Sequence, residues 1–394
     1  NKERGNMFVY LDNSSTTKPY GEVVDVMTKV LREDFGNPSS LHWLGVTAEK
    51  YVKTARKTFA KSIGASEDEV YFTSCGTESD NTALLEGALS RKARGKKVIT
   101  TKVEHPAVLE PAARLEAMGF EVEYIGVDDK CRLDIKQLKD AITEDTVMIS
   151  VMAVNNETGT VMPLKEIADI KNRFNKEHGC DILLHTDAVQ AYGKIPINLN
   201  GIDMMSVSGH KIHGPKGIGG LYIRKGVSVP PYLIGGGQEK NMRSGTENTA
   251  GIAGFGRAID ISYENFSKRV TAMTEARNRL LEGIRAEIKD IVVNSPQDQW
   301  AGPSVLSISF IGTRGEVLLH TLEQDGIFVS TGSACSSNKK GQSHVLQSMG
   351  LSQKAIEGTV RFSFSEFNTI EEMDFVTEKV KQAVNKFRKL GSFR

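Results

Sequence analysis

The chain has 394 residues, with 50 Lys and Arg against 49 Asp and Glu, for a formal charge of +1. At roughly 150 residues per domain, this length suits two or three domains, or one large α/β body with a lesser one, and a sizeable core needs no covalent staples. Charges of both signs are interspersed and no apolar stretch approaches the ~18 residues of a membrane span, which argues against direct nucleic-acid binding and against a membrane protein.

Short apolar runs alternate with amphipathic helical patterns through the first two thirds. Leu84, Leu85, Ala88 and Leu89 mark a helix face, and Lys97 to Thr100 reads as a strand. Thr146 to Met152 is a continuous apolar run of the buried-strand type. After Pro163, Leu164, Ile167, Ile170 and Phe174 fall at helical spacing, with Gly179 as the stop. Asp181 to His185, Met204 to Val207 and Leu221 to Ile223 are further strands. Such alternation predicts a largely parallel sheet covered on both sides. The texture then changes. A long polar helix over Tyr263 to Ile288 leads to a strand over Ser304 to Phe310 and a helix from Glu316. A Gly/Ser-rich stretch around Cys335 follows, then a strand-like Val360 to Phe364 and a last helix from Ile370 to Leu390. This α+β character places a boundary near 258–265.

Four cysteines, Cys75, Cys131, Cys180 and Cys335, are scattered without a Cys-x-x-Cys pair or zinc spacing, so no metal site is expected. Neither a disulfide framework nor a signal peptide is expected. Asn1 to Asn6 read as upstream sequence before a natural start at Met7, and the setting predicted is cytoplasmic.

Several residues point to chemistry. Ser208-Gly209-His210-Lys211 sets a lysine between a strand and a glycine-rich turn, where missing side chains permit close backbone approach. Gly217 to Gly220 lacks a Walker Lys-Ser/Thr and precedes a strand, which argues against a nucleotide loop. Asp187 stands at the carboxyl end of a buried strand, where open α/β sheets bind ligands. Thr73-Ser74-Cys75-Gly76-Thr77-Glu78 opens a helix whose free N–H groups suit a phosphate, and His105 lies just beyond another strand end. Together a phosphate cradle, a strand-end Asp, a stacking His and a Lys in a Ser-x-His-Lys turn have the order and chemistry of a pyridoxal-phosphate site.

At this point the chain resembles the cysteine desulfurases of the NifS/IscS type, within the fold-type I pyridoxal-phosphate enzymes of aminotransferase class V, over about residues 8–390. The motifs that carry the resemblance are Tyr10-Leu11-Asp12-Asn13-Ser14-Ser15-Thr16-Thr17, Gly36-Asn37-Pro38-Ser39-Ser40, Phe72-Thr73-Ser74 with Thr77-Glu78-Ser79-Asp80-Asn81, and Glu104-His105. Further along come Val154-Asn155-Asn156-Glu157, Ser208 to Lys211, Met242-Arg243-Ser244-Gly245-Thr246 and Gly332-Ser333-Ala334-Cys335. The fold implied is a large domain of residues 17–262, with a mostly parallel mixed sheet covered by helices. A smaller α+β domain, from residues 1–16 and 263–394, would carry the reactive-cysteine loop. The activity implied is conversion of L-cysteine to L-alanine, with sulfur passed as a persulfide on Cys335 to an acceptor protein for iron–sulfur cluster assembly or tRNA thiolation.

By the same resemblance, Lys211 binds pyridoxal 5'-phosphate and shuttles protons, Asp187 pairs with the pyridinium, Gln190 with the ring hydroxyl, and His105 stacks on the ring. Gly76, Thr77, Ser208 and His210 hold the phosphate, and Thr246 reaches in from the second subunit of a homodimer. Asn156 and Arg361 grip the substrate carboxylate. A guanidinium fork matches a carboxylate bidentately, and an inward arginine in the otherwise apolar Val360 to Phe364 needs an anion. The neighbours of Cys335 are small or polar, as in a mobile loop, and Lys339 and Lys340 favour its thiolate. Cys75 stands where the family commonly has Gly, and reads as a tolerated small residue. Ser365-Glu366 stands where the family usually has Gly-Arg, which predicts a negative charge near the substrate entrance. The chain ends without the longer tail that housekeeping members use to dock a cluster scaffold. The competing readings are another fold-type I enzyme, such as an aminotransferase or selenocysteine lyase, a non-catalytic sulfur-relay scaffold, and a nucleotide binder.

Overall fold

A computed structural model describes residues 7–331, 342–389 and 391. Its strands, in chain order, are β1 (Val9–Tyr10), β2 (Val70–Thr73), β3 (Lys97–Thr101), β4 (Glu121–Ile125), β5 (Thr146–Ser150) and β6 (Leu183–Asp187). They continue with β7 (Met204–Ser208), β8 (Gly219–Ile223), β9 (Ile291–Val293), β10 (Val305–Phe310), β11 (Ile327–Phe328) and β12 (Thr359–Ser363).

The large sheet has the order β2-β8-β7-β6-β5-β3-β4. The pairs from β4 to β7 are parallel, and β8 alone runs antiparallel to its neighbours β7 and β2. Every residue of β3, β5, β6, β7 and β8 is buried, as in strands covered on both faces. Neighbouring residues face opposite layers. Ile99, Ile149, Leu184 and Met205 join one core cluster, while Val98, Met148, Leu183 and Met204 join another. The expected mixed, mostly parallel sheet between two helical layers is present.

A third cluster gathers the N-terminal segment and the C-terminal third: Val9 and Leu11 pack with Leu280, Phe310, Phe362 and Val380. Here β12-β10-β9 form an antiparallel sheet and β1 pairs with β11 in parallel. The helix expected over Tyr263 to Ile288 is present as Phe266–Glu287. Thr249–Glu264 and Phe266–Glu287 meet at Asn265, whose φ of −114° and ψ of 27° interrupt the helical ladder.

Candidate active site

The carboxyl edge of the parallel strands delivers the chemistry to one place. Asp187 ends β6, Ser208 ends β7, and a 3-10 turn over Gly209–Lys211 follows at once. Gly209 is required there, because a Cβ would come within 2.8 Å of Ile218 Cγ2 and 3.0 Å of the Pro215 carbonyl. His105 caps the helix Pro106–Ala117 beyond β3. Gly76 opens the helix Gly76–Asn81, where a Cβ would meet Val189 Cγ2 at 2.8 Å.

These groups line a cleft of about 210 Å³. On its walls are Gly76, Thr77, His105, Asp187 and Gln190 from the expected set, then Ser208, His210 and Lys211, together with Asn156 and Arg361. Thr246 is exposed and is not among the residues lining this cleft, and Cys335 lies outside the described residues. No cluster of three or more His, Cys, Asp or Glu among the described residues could hold a metal.

Lys211 Nζ donates to the carbonyls of Ser14 at 2.5 Å and Ser15 at 2.8 Å. Asp187 is buried. Burial pushes its pKa up to about 6, against the opposing pull of the Val189 N–H, which donates to Oδ1 at 2.9 Å, and of Lys211. The Ala107 N–H donates to His105 Nδ1 at 3.1 Å, which leaves the ring proton on Nε2. Burial, then Lys211 and His344, lower the His105 pKa to about 4, so the ring facing the cleft is neutral and flat. His210 is likewise lowered to about 4 by burial, and its Nδ1 pairs with Thr16 Oγ1 at 3.1 Å.

Two buried hydroxyls in the cleft, Ser208 Oγ and Ser14 Oγ, have no hydrogen-bond partner. Buried polar atoms are rarely left so, and these two are matched by a polar ligand. Gly76, Thr77, Ser208 and His210 would hold a phosphate in this cleft, Asp187 would face a ring nitrogen, and Lys211 would offer its amine. This donor set fits pyridoxal phosphate.

Arg361, expected to need an anion, already pairs with one inside the chain. Its Nη2 donates to Asp12 Oδ1 at 3.0 Å and Ser15 Oγ at 2.8 Å, and its Nη1 to the Asn156 carbonyl at 3.0 Å. The protein therefore supplies the arginine with its own carboxylate, while the buried Nε keeps its proton unmatched. Glu366 differs from expectation too. It is not among the cleft-lining residues and bounds a separate cavity of about 770 Å³. It accepts from Tyr20 Oη at 2.5 Å and Arg269 Nε at 2.8 Å, and lies 3.4 Å from His213 Nε2. The negative charge is thus internal, neutralised by Arg269.

Sequence reasoning assigned no role to the groups behind Asp187. Asp80 is buried in the cleft wall, its Oδ1 without a hydrogen bond and 3.6 Å from His185 Nε2. Burial and the neighbouring Asp187 drive its pKa well above the usual carboxylate range. His185 shares hydrogen bonds with Ser150 Oγ at 2.9 Å and Ser206 Oγ at 3.0 Å, and burial lowers it to about 3. Asp80 stood in a quoted motif, and His185 two residues before Asp187 faced inward by strand alternation; neither signal names a chemical role.

The chain matches the aminotransferase class-V family over residues 9–376. It is 41% identical to the cysteine desulfurase IscS of Dictyoglomus turgidum, covering 98% of this chain and 97% of that one. With the cysteine desulfurase IscS of Methanosarcina thermophila it shares 43% identity over 98% of this chain and 94% of the relative. Among solved structures, a NifS-like protein superposes with a TM-score of 0.90 at 39% identity, covering 96% of this chain and all of the other. With matching motifs, fold and cleft along nearly its whole length, the chain belongs to the aminotransferase class-V family and, within it, to the cysteine desulfurases.

Proposed function

We propose that this enzyme uses pyridoxal 5'-phosphate to convert L-cysteine to L-alanine, and that the sulfur leaves as a persulfide on Cys335. The observation that carries the reading is the convergence of the Lys211 amine, the buried Asp187 carboxyl and the neutral His105 ring on one cleft. Gly76, Thr77, Ser208 and His210 would hold the phosphate, His105 the ring face, Gln190 the ring oxygen and Asp187 the ring nitrogen, with Thr246 contributed by a second subunit. When bound, the cofactor supplies an electron sink for the substrate's α-carbon.

The chain's own residues do the rest. Arg361 and Asn156 orient the substrate carboxylate. Lys211 Nζ would hold the cofactor and is placed to take the α-proton of the substrate. The Cys335 thiolate attacks the substrate sulfur. Cysteine and the enzyme thiol become alanine and an enzyme persulfide, so atoms and electrons balance without an external oxidant. In this reading residues 17–262 hold the cofactor, and residues 1–16 with 263–394 form the smaller domain; the separate apolar cluster around Phe310 and Phe362 supports that division. The acceptor would be a protein of iron–sulfur cluster assembly or tRNA thiolation, in a cytoplasmic homodimeric system.

The test is incubation of the purified protein with the cofactor, L-cysteine and a thiol reductant, which is expected to yield alanine and sulfide in equal amounts. Cys335→Ser should abolish both products while the cofactor's colour persists, and Lys211→Ala should lose that colour. Alanine formed by Cys335→Ser at the parent rate would overturn the persulfide route.

A further inference from the structure

Lys194 is 5% exposed, yet forms no ion pair with a carboxylate among the described residues. It follows Gly193, whose φ of +71° turns the chain back beneath the cleft. Its hydrogen-bond partner is Gln190, where Lys194 Nζ donates to Oε1 at 3.0 Å. Gln190 Nε2 in turn donates to the Ser14 carbonyl at 2.9 Å, the same oxygen that accepts from Lys211. An ordered path therefore runs from Lys194 through Gln190 and Ser14 to Lys211.

The chemistry of the partners settles which way the amide points. A carbonyl only accepts, so Ser14 selects the amide nitrogen and leaves the amide oxygen to accept from the Lys194 amine. With both ends specified, Gln190 turns its NH₂ toward the cleft and keeps its oxygen away from it. One Nε2 proton goes to Ser14, and the other remains for an acceptor. We propose that Lys194 is a positioning residue that locks the Gln190 amide so that it presents a donor, never an acceptor, to the ring oxygen of the cofactor. This rests on the pyridoxal-phosphate reading and deepens it: the site selects a ring oxygen carrying negative charge.

The arrangement is costly, which argues against a filler role. Burial, Lys211 and Arg269 disfavour the Lys194 ammonium, Glu366 favours it, and Arg361 opposes it again; together they lower its pKa to about 7. A methionine of similar volume would fill the same space without that cost.

The test uses the full chain with Lys194→Met, Lys194→Gln, Gln190→Ala and the double variant Lys194→Met/Gln190→Ala. Fluorescence titration of cofactor-free protein with pyridoxal 5'-phosphate should show affinity weakened about tenfold in Lys194→Met, the scale of one charge-assisted hydrogen bond. The pH midpoint of the bound cofactor's visible band should rise by about one unit in Lys194→Met. It should rise similarly in Gln190→Ala and no further in the double variant, since both act through one amide. Lys194→Gln, which keeps a donor, should recover part of the shift. The cofactor-free melting temperature of Lys194→Met should equal or exceed the parent's. Additive midpoint shifts would mean that Lys194 acts by charge alone, and an unchanged midpoint with a lowered melting temperature would mean that it serves folding; either overturns the proposal. Absence of a band in the parent chain overturns the cofactor reading and this proposal together, whereas a normal parent band with no response to Lys194→Met overturns this proposal alone.

Discussion

Arg361 Nη2 and Asp12 Oδ1 lie 3.0 Å apart, joining the N-terminal segment to β12 across almost the whole length of the chain. The cation proposed to receive the substrate carboxylate is thus held in advance by a carboxylate of the protein, with Ser15 Oγ completing the pair.

A preset ion pair competes with the ligand it prepares for. Asp12→Asn keeps an acceptor for Arg361 Nη2 but removes the competing charge. The KM for L-cysteine is expected to fall about fivefold, with kcat within twofold, the scale of one partly exposed ion pair. A raised KM would show that Asp12 serves orientation and not competition.

Ser208 Oγ is buried without a partner, so it contributes no hydrogen bond to the cofactor-free chain. Ser208→Ala should leave the melting temperature of that chain unchanged or raise it. Affinity for pyridoxal 5'-phosphate should fall about tenfold through loss of a hydrogen bond to phosphate. Equal losses in both measurements would place the hydroxyl in folding instead.

Asp187 sets stability against chemistry. Burial raises its folded pKa to about 6, above the unfolded value of about 3.9. Ionisation therefore opposes folding: the unfavourable contribution is absent at low pH, grows as pH rises from about 4 to 6, and stays constant above that. Asp187→Asn should stabilise the cofactor-free protein at pH 8 by about 2 kcal/mol, give no gain near pH 4, and reduce alanine formation at least about 100-fold. Chemical unfolding at the two pH values, alongside an alanine assay, checks all three.

Glu366 has the opposite sign. Burial would raise its pKa, but His213 and Arg269 outweigh burial and hold the carboxyl far below the usual carboxylate range. Its stabilising contribution is full above the unfolded pKa of about 4.3 and is lost as pH falls below it. Glu366→Gln leaves Arg269 buried without its anion and should cost about 3 kcal/mol at pH 7. The variant should also lose less stability than the parent between pH 5 and pH 3. Because Glu366 does not line the substrate cleft, KM for L-cysteine should stay within twofold of the parent's; a large KM change would return this residue to the substrate entrance.

Much of the architecture is legible in the residues. β5 declares itself because a strand buried on both faces is largely apolar, and Gly179 closes its helix in the left-handed conformation that favours glycine. Lys211, Asp187 and His105 are legible because short motifs beside strand ends carry both their chemistry and their place.

The linear order of residues by itself determined the covered sheet, the strand edge where a ligand sits, and the residue types of a pyridoxal-phosphate site. These depend on local periodicity and on motifs a few residues long. Tertiary structure alone decided that Asp12 meets Arg361, that Glu366 turns inward to Arg269, that Asp80 and His185 stand behind Asp187, and that Gln190 reaches Ser14. Each of these depends on which buried polar atoms must find partners once the chain has packed, and that choice is made by distances in space that no spacing along the chain encodes.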